Sequence, residues 1–238
     1  MKALVGTSGY GFPEWKGSFY PAGLPDREML RYYASQFTTV EINNTFYRLP
    51  ARSVVREWAL QVPPGFLFAI KASQRITHRA RLKPEGREPL EFLLATTAEL
   101  GSKLGSILFQ LPPNLRCDGG RLRAFLALLP PERRFVFEFR HPSWFAETTY
   151  AALAEFGAAL GTIQQDDFES PLVPTTRWGY LRLHRSRYEG RELRAWARRI
   201  ADQPWDEAYV YFKHDDGPGS GPTAAREFVR ALAERSSS

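Results

Sequence analysis

A chain of 238 residues, 43% hydrophobic and 24% charged, can bury a large core and is too apolar to read as a disordered protein. Its formal charge of +6, from 32 basic against 26 acidic residues, favours anionic partners without separating a small anion from a nucleic acid. The single cysteine, Cys117, excludes an intramolecular disulfide. No stretch approaches the ~18–20 apolar residues of a membrane helix and no secretory pattern opens the chain, so a cytoplasmic protein without a membrane partner is expected.

Strand-like runs are predicted at 4–7, 39–43, 67–71, 106–110, 135–139, 160–164, 180–184 and 208–213, eight in all. Helical spacing falls between most of them. The first helix, 26–36, carries Met29, Leu30, Tyr33 and Phe37 on one side. Further helices are predicted at 51–61, 88–100, 119–129, 149–158, 192–200 and 223–234, each with an apolar face suited to covering a sheet. The sixth connection, 166–179, is rich in proline and threonine and is the weakest place for a helix.

Strand–helix alternation repeated in this way has a natural closed solution, an α/β fold with a single (β/α)8 TIM-type barrel over residues 1–235 and a flexible tail at 236–238. An open, doubly wound sheet is the alternative. The run Gly6-Thr7-Ser8-Gly9-Tyr10-Gly11 continues into aromatic and proline residues, which is no phosphate-gripping helix start.

Alternation along the strands sorts the polar residues. Glu41 and Asn43 share a face, as do Ala69 and Lys71, then Val136, Glu138 and Arg140, then Tyr180, Arg182 and His184, then Tyr209, Tyr211 and Lys213. If the opposite, apolar faces meet the helices, these residues turn into the barrel. Glu41, Lys71, Glu138, Arg140, Arg182, His184 and Lys213 would then converge near the carboxyl ends of the strands, where barrel active sites lie. Buried charges need partners, water or ligand, and the surplus here is positive, which a captured oxyanion would explain. A purely structural ion-pair network is the competing explanation.

The chain also resembles the YecE-like family, a domain of unknown function. The resemblance rests on Gly6-Thr7-Ser8-Gly9-Tyr10, Trp15, Phe19-Tyr20-Pro21, Glu41-Ile42-Asn43-Asn44-Thr45-Phe46-Tyr47, Lys71-Ala72-Ser73, Ile76-Thr77-His78, Phe109-Gln110-Leu111-Pro112-Pro113, Glu138-Phe139-Arg140-His141-Pro142-Ser143-Trp144 and Tyr180-Leu181-Arg182-Leu183-His184. It implies a TIM-type barrel with a polar central cavity and supplies no reaction. The asparagines that relatives carry after the last strand are replaced here by Lys213-His214-Asp215-Asp216.

Glu41 and Glu138, on separate strands, are the expected proton-transfer groups, with His184 as a shuttle. Lys71 is expected to pair with Glu41 or with an anionic substrate, or to form a Schiff base if buried beside another cation. Arg140, Arg182 and Lys213 would hold an anion. His78 is placed at the pocket rim or in a structural cap, and His141 either binds substrate or braces the Trp144 loop. Tyr10, Phe12, Trp15, Tyr20, Phe46, Tyr47 and Trp144 would form either a stacking wall for a planar or sugar-like ligand or a hydrophobic lid sealing the barrel mouth. Asn43, Gln110, His214 and Asp215 complete the expected substrate-binding set. Glu41, Glu138, His184, His214 and Asp215 could hold a hard cation, but no compact ligand motif appears and no metal site is assigned; the cofactor is unknown. The function expected is acid–base catalysis on a small anionic compound, phosphorylated sugar-like or nucleoside-like. A nucleic-acid binding or processing module and a non-catalytic metabolite sensor are the alternatives.

Overall fold

The computed structural model describes residues 1–213 and 220–236. Eight parallel strands are present: β1 (Lys2–Thr7), β2 (Thr39–Ile42), β3 (Leu67–Lys71), β4 (Leu104–Gln110), β5 (Phe135–Glu138), β6 (Ala159–Gln164), β7 (Trp178–Leu183) and β8 (Glu207–Phe212). They form one sheet in the order β1-β8-β7-β6-β5-β4-β3-β2. Helices α1 (Met29–Gln36), α2 (Arg52–Gln61), α3 (Arg87–Thr97), α4 (Gly119–Leu126), α5 (Glu147–Glu155), α6 (Gly190–Ala201) and α7 (Ser220–Ser236) surround it. This is the expected (β/α)8 TIM-type barrel, nearly closed. No helix of the described residues is long and apolar enough to cross a membrane.

The predicted strands are recovered with ends shifted by one or two residues. Polar Lys2 and Glu207 pair with one another at the start of β1 and β8, which an apolar pattern cannot reveal. The connection between β6 and β7 holds no helix. It folds back as a tight turn, with Gln165 N donating to Phe168 O at 2.6 Å and Ser170 N to Ile163 O at 2.9 Å. Thr175 Oγ1 accepts from Leu160 N and donates to Ala158 O, satisfying backbone at the start of β6.

Strand alternation places two apolar layers. Inside the barrel lie Leu4, Ala69, Leu108, Val136, Ala159, Tyr180, Tyr209 and Tyr211. The other face packs on the helices, where Phe137 stacks on Phe109 and meets Phe125 of α4 edge-on. Every strand phase used above is therefore observed: the residues that alternate with Ala69, Val136 and Tyr180 point inward.

The barrel closes between β1 and β2 without a regular ladder. One bridge joins Ser8 to Glu41. Tyr33, from α1, fills the gap below it. Its hydroxyl accepts from Thr7 N at 2.8 Å and donates to Thr39 O at 3.1 Å, so a phenol replaces missing ladder bonds. Gly6 is required beside it, because a Cβ there would lie 2.1 Å from the Thr39 carbonyl oxygen.

Candidate functional site

Four strands deliver a buried ionic network to the carboxyl mouth of the barrel. Glu41, at the end of β2, is fully buried. Its carboxylate accepts from Ser8 Oγ at 2.7 Å, Asn43 Nδ2 at 2.9 Å, Tyr180 OH at 2.6 Å, and Arg182 Nε and Nη2 at 3.1 and 3.0 Å. Glu138, at the end of β5, is equally buried and accepts from Arg140 Nε at 2.6 Å and Arg182 Nη1 at 3.0 Å. Arg182 thus bridges both carboxylates, using the rigid fork of its guanidinium. Arg140 extends the chain to Gln165 Oε1.

These contacts decide the ionisation states. Burial alone would raise Glu41, but the Arg182 guanidinium, with the Tyr180 and Ser8 hydroxyls and, once acid enough to be protonated, His184, overrides it and lowers the carboxyl to about 2. Glu138 is lowered for the same reason, by Arg182 and Arg140 against burial. Burial and the nearby Glu41 charge push Tyr180 well above the usual phenol range, keeping it a donor. Both carboxylates are therefore held as anions, Glu41 accepting five hydrogen bonds and Glu138 two, which makes them anchors for Arg182 and poor proton carriers near neutrality.

His184 lies just beyond β7, half-buried, with Nε2 2.8 Å from Ser8 Oγ. Ser8 has one hydroxyl proton, and the Glu41 carboxylate can only accept. The Ser8 hydroxyl consequently points at Glu41, and His184 Nε2 carries the hydrogen between the ring and Ser8. Burial and Arg182 hold the imidazole well below its ordinary range, so it is neutral and Nδ1 is its basic nitrogen.

Lys71, at the end of β3, is half-buried. Its ammonium makes no ion pair with Glu41 or Glu138, whose oxygens are already engaged. It stands instead over the Phe46 ring, 4.4 Å from the centroid. Burial and Arg182 lower it to about 8. Thr45 Oγ1 donates to the Lys71 carbonyl at 2.7 Å, tying the Asn44–Phe46 turn to β3 and setting the aromatic ring under the amine. His78 meets the same ring edge-on at 4.9 Å and is lowered by its own burial, then by Lys71 and Arg81.

The remaining expected residues fall in several places. Asn43 joins the network, whereas Gln110 is half-buried and donates to Leu111 O at 3.3 Å. Tyr10, Asn43 and Tyr47 line a cleft of about 480 Å³ that reaches Ser8, with Phe12 and Trp58 on its walls. Trp15 is fully buried against Phe12, Phe19 and Tyr20. Trp144 is buried too, stacked 4.5 Å from Phe139 with its indole N–H donating to Leu115 O at 2.7 Å. Neither tryptophan faces the mouth. His141 Nδ1 lies 2.8 Å from Ser143 Oγ and caps the Pro142–Trp144 turn. Lys213 is exposed beyond the end of β8 and does not join the inward set, because strand alternation ends at Phe212. His214 and Asp215 lie outside the described residues. The inward charges are thus three cations, Lys71, Arg140 and Arg182, against two carboxylates, a surplus of one positive charge rather than two.

Ser8, Tyr180 and Gln165 were not anticipated as members of the site. Tyr180 shares its strand face with Arg182 and His184, so its signal was available. Ser8 alternates with Leu4 and Gly6 at the end of β1. Gln165 sits in an irregular turn and carries no signal. Among the described residues no group of three or more His, Cys, Asp and Glu is arranged to hold a metal. A second cavity of about 490 Å³ lies at the opposite, amino end of the strands, where Arg134 is paired with Glu207 at 2.6 Å.

Comparison with known proteins supplies a family and no reaction. The chain is 28% identical over 225 residues to the UPF0759 protein YunF of Bacillus subtilis, covering 89% of this chain and 78% of that one. A DUF72 family protein from Thermotoga maritima superimposes with a TM-score of 0.86 at 26% identity, covering 98% of this chain and all of the other. One from Enterococcus faecalis gives 0.78 at 20% identity and 98% coverage of both, a likeness of fold. None of these descriptions names an anion or any other ligand, so the expected anion binding has no support from the comparisons. The family described as protein of unknown function DUF72 matches residues 4–238. The chain therefore belongs to DUF72, which replaces the YecE-like assignment that the motifs suggested.

Proposed function

We propose that this DUF72 barrel is an enzyme that moves protons on a small, negatively charged substrate at the carboxyl mouth. His184 Nδ1 acts as the base and Lys71 as the cationic partner. Glu41 and Glu138 serve by fixing Arg182 and Ser8 rather than by exchanging protons. The observation that carries this reading is the Glu41–Ser8–His184 chain of hydrogen bonds, 2.7 and 2.8 Å long, which fixes the imidazole tautomer at the carboxyl mouth.

The surplus positive charge favours a substrate with negative charge, and the adjoining cleft of about 480 Å³ suits a small molecule. Several exposed arginines elsewhere are ion-paired, as in Arg56–Glu99, Arg87–Glu91, Arg123–Glu155 and Arg177–Asp206. That pairing weakens the case for a continuous nucleic-acid groove. The test is native mass spectrometry of the protein after incubation with a small-molecule cell extract, followed by turnover of whatever is retained. Loss of turnover in His184→Gln, with the compound still bound, is the expected result. Full turnover in that variant, or retention of no compound by the unmodified protein, overturns the proposal.

A further inference from the structure

We propose that Lys71 is an imine-forming lysine, and that the substrate of this site carries an aldehyde or ketone. The inference rests on the reading of the mouth given above and goes beyond it in naming the reactive group. Of the three inward cations, two are consumed. Arg182 spends its donors on Glu41 and Glu138, and Arg140 is engaged with Glu138 and Gln165. Lys71 differs. Its Nζ has no hydrogen-bond acceptor among the described residues, and its one close partner is the face of Phe46. It sits on the end of a barrel strand, held from behind by the Thr45 hydroxyl, and is half-buried within electrostatic reach of Arg182 and Arg140.

A structural lysine in such a place would be bound to a carboxylate, and two are close at hand. Both instead accept from other donors, and the amine rests on the Phe46 ring with no hydrogen-bond acceptor among the described residues. Desolvation next to fixed positive charge is how an enzyme keeps a lysine nucleophilic. With the amine lowered to about 8, about a tenth of it is unprotonated at pH 7, roughly 300-fold more than for an ordinary lysine.

In the step proposed, the lone pair of neutral Nζ forms a C–N bond to the carbonyl carbon, and the carbonyl π pair moves to oxygen. His184 Nδ1 takes a proton from nitrogen and returns it to that oxygen. The proton that the ammonium gave up in forming neutral Nζ is returned to the same oxygen through His184 Nδ1, the nitrogen lone pair closes the C=N bond, and the C–O bond breaks with water departing. Counted from the ammonium form, two of its three protons leave in the water and one stays on the iminium nitrogen. The iminium keeps the positive charge of Lys71, so the balance with Arg140, Arg182, Glu41 and Glu138 is unchanged. A bond on the neighbouring carbon can then release its electron pair into the iminium.

The experiment traps the adduct. The full-length protein is incubated at pH 7.5 with pyruvate, glyoxylate or acetaldehyde and cyanoborohydride, then mapped by peptide mass spectrometry. Lys71 is expected to be alkylated at least tenfold faster than Lys2, Lys16, Lys83, Lys103 or Lys213 with at least one probe. Labelling of Lys71 no faster than those five with every probe overturns the proposal. A second arm measures acetimidate labelling of Lys71 with and without lactate or inorganic phosphate. Protection without a trapped adduct sinks the imine and leaves the proton-transfer reading standing. Neither protection nor adduct sinks both.

Discussion

Replacing Arg182 by methionine removes the cation that joins two fully buried carboxylates while keeping much of its volume. Arg182 makes hydrogen bonds of 3.0 and 3.1 Å to Glu41 and one of 3.0 Å to Glu138. Breaking a buried ion pair from one side costs about 3–5 kcal/mol, because the remaining charge is stranded. Glu41 retains Ser8, Asn43 and Tyr180, and Glu138 retains Arg140, so the loss should not exceed that range. For a chain of this length, about 2–4 °C per kcal/mol translates this into a fall in Tm of about 6–20 °C.

The pH dependence makes the prediction specific. Without Arg182, burial dominates and the folded-state pKa values of both carboxyls rise above their unfolded values. The penalty is then full at high pH and is relieved as pH falls through those raised values. Thermal and urea unfolding at pH 7.5 and pH 5 should show the deficit of Arg182→Met shrinking on acidification. A second change, Glu41→Gln in the Arg182→Met background, should recover stability at pH 7.5. A loss under about 1 kcal/mol, or a deficit that grows as pH falls, would refute the reasoning.

Two further outcomes follow from the same geometry. Tyr33→Phe should cost about 1–3 kcal/mol by leaving Thr7 N and Thr39 O unsatisfied at the β1–β2 seam, with faster amide exchange at Thr7; unchanged exchange there contradicts the seam role. In the unmodified protein, the depressed Glu41 pKa contributes stability that is present above its unfolded value near 4.5 and is lost as pH falls toward about 2. The contribution is of order 3 kcal/mol, read as a falling urea midpoint between pH 5 and pH 2.5 that flattens in Glu41→Gln. An equal fall in that variant would assign the acid sensitivity elsewhere.

Much of the barrel was legible because period-two alternation and helical spacing are local. The runs around Glu41, Glu138 and Arg182 announce which side chains share a face, and the structure keeps that phase. The proline- and threonine-rich sixth connection announced its missing helix in the same way. Lys213 shows the limit of the argument. Alternation carries a side chain inward only while the backbone stays in the sheet, and β8 ends one residue earlier. Trp15 and Trp144 show another limit, since an aromatic side chain suits a core and a ligand wall equally until its neighbours are known.

The sequence by itself determined the fold class and, wherever the backbone stays in the sheet, which charges turn inward, because both follow from spacings of a few residues. Only the tertiary structure decided what those charges do. Ser8 reaches Glu41 across 33 residues and His184 across 176, and Arg182 reaches back to Glu41 across 141. Such contacts set which carboxylate is saturated, which imidazole nitrogen is basic and which amine is left without an acceptor. They are absent from local pattern because hydrogen bonding and desolvation depend on distance in space, which barrel closure alone establishes.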